Sequence, residues 1–181
     1  MNHPYRYTRT AIGLHWIIAF LVIAAFGLGL IMTSMPGFTP TKLKYFSWHK
    51  WLGVTVFIFA VLRVLWRMTH PAPPLIATIP RLQQFVAQVV HVLLYLLIFA
   101  APLSGYLYST AAGFQVVYLG IIPLPMLINA NPELAATLMS VHEILVWSMA
   151  ALVGLHALGA LKHHFVDRDG TLARMLPFLE R

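Results

Sequence analysis

The sequence predicts an all-α integral membrane protein, a four-helix bundle with both termini on one side of the membrane. Composition, four apolar runs of spanning length, and the placement of basic residues carry that prediction. Of 181 residues, 60% are hydrophobic and only 9% charged, and the mean hydropathy is +0.78. A water-soluble domain is about half apolar and about a quarter charged, so water is not the main solvent of this chain. Four spans with short connections use nearly the whole length, which makes residues 1–181 one membrane domain with no room for a soluble one.

A hydrocarbon core of ~30 Å takes ~20 apolar residues to cross as a helix. The first run, Thr10–Met32, meets that length. No small-x-small cleavage site follows it cleanly, so it is expected to span rather than to be removed as a signal peptide. Pro36, Gly37 and Pro40 end it, because proline lacks the N–H a helix needs. The second run is Tyr45–Thr69, closed by Pro71, Pro73 and Pro74. The third is Leu82–Ser109 and the fourth Ala135–Phe165. Residues 110–134 are also apolar, but Gly113, Gly120, Pro123, Pro125 and Pro132 interrupt them. That segment is expected to lie at the interface or cap the bundle, not to cross.

The net charge of +7 would suggest nucleic acid in a soluble chain. Here the basic residues flank apolar runs, where they anchor helices, and nucleic acid is excluded as a partner. Arg6, Arg9, Arg63, Arg67, Arg81, Lys162, Arg168, Arg174 and Arg181 fall on one side, and only Lys42, Lys44 and Lys50 on the other. The positive-inside rule then puts both termini in the cytoplasm. Arg63 and Arg67 are expected to snorkel out from the end of the second span. Trp48, Trp51 and Trp66 fit interfacial belts.

The chain has no cysteine and nine histidines. Disulfides, cysteine-held iron–sulfur clusters, thiolate-ligated haem and covalent haem attachment are therefore excluded. His15, His49, His91, His142 and His156 fall within the spans, where an ionisable residue marks function by default. A lone one can instead simply hydrogen-bond to a neighbouring helix.

The spacing favours a site. His142 and His156 are 14 residues apart on the fourth span, close to four turns, so they share a face ~21 Å apart along the axis. His15 enters at the depth of His156, and His49 at the depth of His142. Two imidazole pairs at two depths result, and each suits a haem iron in a bundle interior. Gly53 and Gly159, about one turn beyond His49 and His156, would let a flat ring approach. Zinc is the competing ligand; the adjacent Glu143 points ~100° away from His142, so it completes a zinc site poorly.

His91 could replace His15 as a ligand, but a structural or propionate-side hydrogen bond is preferred. His163 lies two turns from His156 on the same face. It reads either as an interfacial anchor beside Lys162 or as a quinone-binding or proton-transfer group. His3 and His70 read as loop residues. Lys42, Lys44 and Lys50 cluster near His49; they read either as a cationic patch concentrating a small anion or as solvated loop lysines or lysines that bind lipid headgroups.

These stretches together resemble the bacterial cytochrome b561 family of di-haem, four-helix inner-membrane proteins. The matching segments are Ile12-Gly13-Leu14-His15-Trp16, Trp48-His49-Lys50, and Val61-Leu62-Arg63-Val64-Leu65-Trp66-Arg67 with the prolines after it. To these are added His91 with Tyr95 and Pro102, His142-Glu143, Gly154-Leu155-His156, and Leu161-Lys162-His163-His164-Phe165. The resemblance runs from about Tyr5 to Leu176.

It implies two b-type haems, the cytoplasmic-side one held by His15 and His156 and the periplasmic-side one by His49 and His142. It also implies a multi-pass protein of the bacterial inner membrane and one of two activities. The first oxidises periplasmic superoxide and reduces ubiquinone, the cationic patch serving as the attracting surface. The second exchanges electrons between the quinone pool and a protein partner. A non-redox membrane protein, such as a metal transporter with histidine sites, is the third reading, and a haem-free, colourless preparation would support it.

Overall fold

The structure is a computed structural model and describes residues 6–74, 76 and 78–179. His3 and Arg181 lie outside the described residues. Four long helices make up the fold: α1 (Arg9–Ser34), α2 (Pro40–Thr69), α3 (Arg81–Ala111) and α4 (Pro132–Lys162). All four are long and apolar enough to cross a membrane, α4 together with the π-helical turn His163–Asp167 that continues it. Residues 110–134 contain no further span; they form a minimal antiparallel hairpin of β1 (Val117–Tyr118) and β2 (Ile122–Pro123). Gly120 turns the hairpin with φ +73°, a conformation that costs glycine little.

Three of the four helices, α1, α2 and α4, start at side-chain caps. Thr8 Oγ1 accepts from Ala11 N–H at 3.2 Å, and Thr39 Oγ1 from Lys42 N–H at 3.1 Å. Asn131 Oδ1 accepts from Leu134 N–H at 3.0 Å. Each cap satisfies an orphan donor of a first turn. Pro40 and Pro132 stand at the starts of α2 and α4, where a missing N–H costs nothing. Helix α2 begins five residues before Tyr45, with Lys42 on its first turn and Lys44 just beyond it.

Helices α1 and α2 pack closely, as do α3 and α4, while α2 and α3 join the two pairs. The most deeply buried of the described side chains are small: Ala60, Ala101, Ala111, Ser109 and Thr110 are each 2% exposed or less. Small residues let helices approach where lipid supplies no hydrophobic drive between them. Large apolar residues point outward instead, among them Phe20, Ile23, Phe85, Ile144 and Leu158. Such an apolar exterior suits lipid.

Ties between elements define the two ends of the bundle. At the terminal end, Trp66 Nε1 donates to Thr8 Oγ1 at 2.9 Å and Trp16 Nε1 to the carbonyl of Met175 at 2.8 Å. Arg174 also donates to the carbonyl of Pro74 at 2.7 Å. At the hairpin end, Trp51 Nε1 donates to the carbonyl of Val117 at 2.7 Å, and Thr55 Oγ1 meets the Tyr118 hydroxyl at 3.0 Å. Tyr106 donates its hydroxyl proton to the carbonyl of Pro125. The hairpin is thus clamped onto α2 and α3 and caps that end. These tryptophans tie elements together as well as sitting near helix ends.

Candidate functional site: two imidazole pairs

Helix α4 packs closely with α3 alone among the four, and reaches α1 and α2 through rings. His15 and His156 face each other with ring centres 6.1 Å apart. His49 and His142 do the same, also at 6.1 Å. Phe26 and Trp147 meet edge-on at 5.3 Å between α1 and α4.

A ligating imidazole nitrogen lies ~2.0 Å from its metal and ~1.1 Å from its own ring centre, so two rings trans on one iron have centres ~6.2 Å apart. Both pairs match that separation. His91 lies closer to His156, at 5.1 Å, about an ångström too short for an iron between them. The residues present therefore fit two bis-imidazole haems, with His91 a neighbour of the terminal-end pair. Neither pair gains a third donor at the 4.8 Å spacing that would favour zinc, among the described residues.

The pair at the hairpin end is the more firmly oriented. His49 Nδ1 hydrogen-bonds to the carbonyl of Ala25 in α1 at 3.0 Å. His142 Nδ1 lies 2.9 Å from the carbonyl of Ala101 in α3 and 3.1 Å from Ser104 Oγ. Pro102, within α3, lacks an N–H, so the carbonyl of Ile98 one turn earlier loses its ladder donor next to this site. With Nδ1 donating to a carbonyl, Nε2 is the nitrogen left to ligate, and the ring cannot swivel.

Glycine makes this approach possible. A Cβ on Gly105 would lie 2.9 Å from His142 Cε1, and one on Gly29 would lie 3.4 Å from His49 Cε1. The sequence pointed to Gly53 and Gly159 instead. Gly53 lines a cavity of about 260 Å³ between the two rings and the hairpin, whereas a Cβ on Gly159 would meet nothing within 4 Å.

The terminal-end pair is surrounded differently. Arg63 donates through NH1 to the carbonyl of Ala11 at 2.9 Å and through Nε to the Tyr95 hydroxyl at 3.0 Å. It therefore turns inward and bridges α1 and α3 rather than snorkelling, because those two acceptors lie within reach in the bundle. Arg67 instead covers the Tyr7 ring, 5.1 Å from its centre. His70 caps the C-terminal end of α2 and stacks on Trp66 with ring centres 4.0 Å apart.

His163 opens the π-helical turn beyond α4, and its Nδ1 lies 2.5 Å from Asp169 Oδ2 and 3.1 Å from Asp167 Oδ2. Lys162 pairs with Asp167 at 2.6 Å and also reaches Gln83 at 3.3 Å. Burial would raise the Asp169 carboxyl, but hydrogen bonds from Thr171 and His163 hold it below the ordinary carboxylate value. His163, Asp167 and Asp169 are close enough to chelate a cation; the Lys162 ammonium already pairs with Asp167.

The three lysines of the hairpin end are dispersed in role. Lys42 Nζ donates to the carbonyl of Met35 at 2.7 Å, closing the end of α1. Lys44 lies over the Trp48 ring at 4.8 Å. Lys50 lies over Phe114 at 5.5 Å and is the one of the three that lines the cavity beside His49 and His142.

Paired imidazoles in the interior of an all-helical membrane bundle define a membrane electron-transfer protein of the b-type cytochrome class. The chain belongs to the prokaryotic cytochrome b561 family, whose model matches residues 6–178. It is 36% identical over 178 residues to cytochrome b561 homolog 2 of Escherichia coli (strain K12), covering 97% of this chain and 93% of that one. It is 33% identical over 176 residues to the probable superoxide oxidase CybB of Yersinia pestis, covering 95% and 96%. Cytochrome b561 homolog 1 of the same Escherichia coli strain is 28% identical over 174 residues, covering 95% and 97%. Haem b is the cofactor this family implies.

Proposed function

We propose that the chain holds two b-type haems, one at each imidazole pair, and serves as a superoxide:ubiquinone oxidoreductase of the bacterial inner membrane. The observation that carries this reading is the 6.1 Å separation of both ring pairs, one at each end of the bundle. The terminal end faces the cytoplasm, since nine of the twelve Lys and Arg residues fall on that side. His49 and His142 then serve the periplasmic side, and His15 and His156 the cytoplasmic side.

When bound, each haem supplies a one-electron centre with no coordination position open to oxygen. The chain's own residues set up the two half-reactions. On the periplasmic side two superoxide anions each lose one electron and leave as two molecules of dioxygen. On the cytoplasmic side one ubiquinone takes up two electrons and two protons and becomes ubiquinol. Lys50, lining the hairpin-end cavity, attracts the anion, with Lys42 and Lys44 adding to the field at longer range. His163 binds the quinone carbonyl and passes a proton to it, and Asp169 at 2.5 Å holds the ring in place.

The similarity to a protein called probable superoxide oxidase supports this reading. A second reading, electron exchange between the quinone pool and a protein partner, draws on the exposed apolar side chains of the third connection, Phe114, Leu119, Ile121 and Leu127. Stopped-flow mixing of the oxidised holoprotein with superoxide separates the two. Rapid haem reduction, slowed by salt and by Lys50→Gln, is expected. No haem reduction would sink the superoxide reading, and co-purification of a periplasmic protein would then favour the second.

A further inference from the structure

Beyond α4 the chain does not simply end in solvent. Arg168 adopts a left-handed backbone (φ 54°) and Gly170 follows at φ 76°, which turns the tail back under the bundle. The Trp16 to Met175 and Arg174 to Pro74 hydrogen bonds then pin it there, and Ala173 is buried. Between this shelf and the end of α4 lies an open cavity of about 980 Å³. Arg6, Arg168, Arg174 and His164 line it, together with apolar Ile76 and Phe165.

The charge in the cavity is one-sided. Asp169 is the one carboxylate among the described lining residues, and both its oxygens are engaged, Oδ2 by His163 and Oδ1 by the Thr171 N–H at 2.9 Å. Lys162 and Asp167 neutralise each other outside it. The guanidinium groups of Arg168 and Arg174 face this space, and that of Arg168 has no partner among the described residues.

The depth of the cavity matters as much as its charge. The last apolar span ends at Asp167, so the cavity lies at headgroup level. Phe165 and Val166, beside it, are 67% and 71% exposed, an apolar flank continuous with the lipid-facing surface of α4. A ligand that fits must carry a phosphate for the guanidinium groups and an apolar portion for that flank.

We propose that this cavity is a specific site for the phosphate headgroup of an anionic phospholipid, its acyl chains lying along α4 beside Phe165. The site uses neither imidazole pair, and it borders the proposed quinone-binding His163 through Asp169. Free phosphate shares the anionic group but has nothing to place against the apolar flank.

The test uses delipidated holoprotein in a neutral detergent, with thermal loss of the haem spectrum followed as lipid is added. Phosphatidylglycerol should protect in a saturable way, while phosphatidylcholine and inorganic phosphate at the same concentration should not. Arg168→Asn removes the charge yet suits the left-handed backbone, and it should raise the phosphatidylglycerol concentration needed by about fivefold. Adding Arg174→Gln should raise it further.

Arg81→Gln, at the same end but outside the cavity, should change nothing. Arg168→Lys, which keeps the charge, should stay close to the parent and guards against a folding defect in the asparagine variant. Equal protection by phosphatidylcholine, or an Arg81→Gln effect as large as that of Arg168→Asn, would overturn the site. Protection by inorganic phosphate as strong as by phosphatidylglycerol would overturn its assignment to lipid.

Discussion

Gly105→Ala tests the geometry of the hairpin-end pair with a single methyl group. The new Cβ would stand 2.9 Å from His142 Cε1, 3.1 Å from Nδ1 and 3.5 Å from Nε2. Non-bonded carbons settle no closer than ~3.5 Å, so the ring must retreat by about 0.6 Å. It is not free to do so, because Nδ1 is held by the Ala101 carbonyl at 2.9 Å and lies 3.1 Å from Ser104 Oγ. A ligand constellation tolerates only ~0.5 Å of error, and overpacking of this kind costs about 1–3 kcal/mol. Expressed as haem affinity, that is roughly fivefold to 150-fold weaker at the site His142 serves.

Haem-to-protein ratio and a spectroscopic redox titration read the effect directly. The expected result is loss of up to half the haem, with the remaining centre keeping its potential. Gly29→Ala should do less, since its Cβ would meet His49 Cε1 at 3.4 Å. Gly13→Ala, facing nothing within 4 Å, should keep both haems. Alanine is the better helix former by up to about 1 kcal/mol, so a defect at position 105 cannot be charged to helix propensity. Full haem content with unchanged potentials in Gly105→Ala, or an equal loss in Gly13→Ala, would refute the reasoning.

Further outcomes follow from other contacts. His142→Ala should remove the haem at the hairpin end and leave the other in place, and His156→Ala should do the reverse; two haems retained in both variants would show that the ligands lie elsewhere. Arg63→Gln loses a cation near His15 and His156 and weakens its two hydrogen bonds. It should lower the potential of the terminal-end haem and destabilise the fold by about 2 kcal/mol, as redox titration and thermal unfolding would show. The depressed Asp169 carboxyl contributes stability that is fully present above the ordinary carboxylate value and lost as pH falls through its lowered folded value. The tail should therefore resist proteolysis unchanged down to about pH 4 and become cleavable below it, and Asp169→Asn should abolish that pH dependence.

Much of this fold was legible because a bilayer imposes length and polarity so strictly. Four apolar runs separated by proline clusters announced the helices, and the spacing of His142 and His156 announced a shared face. The interruptions at Gly120, Pro123 and Pro125 kept the third connection from being read as a span, and it folds as a hairpin. What stayed hidden depends on how each helix is rotated. A helix facing lipid is apolar on every side, so polarity does not mark its inward face. Nothing in the sequence singled out Ser104, Gly105 and the Ala101 carbonyl as the support of His142. Nor did it show that Arg63 would turn inward, since both partners lie on other helices. Lys42, Lys44 and Lys50 looked like one patch by proximity in sequence, but the turn of α2 gives each a different neighbour.

The inward turn of Arg63 bears on how the molecule is put together in the cell. Its two acceptors reach the bilayer at different moments, for Ala11 precedes it in the chain and Tyr95 follows 32 residues later. A nascent chain holding only α1 and α2 carries this guanidinium half-satisfied, and the cheapest remedy is to ride shallow with the charge at the lipid–water boundary. Tyr95 of α3 supplies the second acceptor. The guanidinium has both acceptors only when α1, α2 and α3 are together.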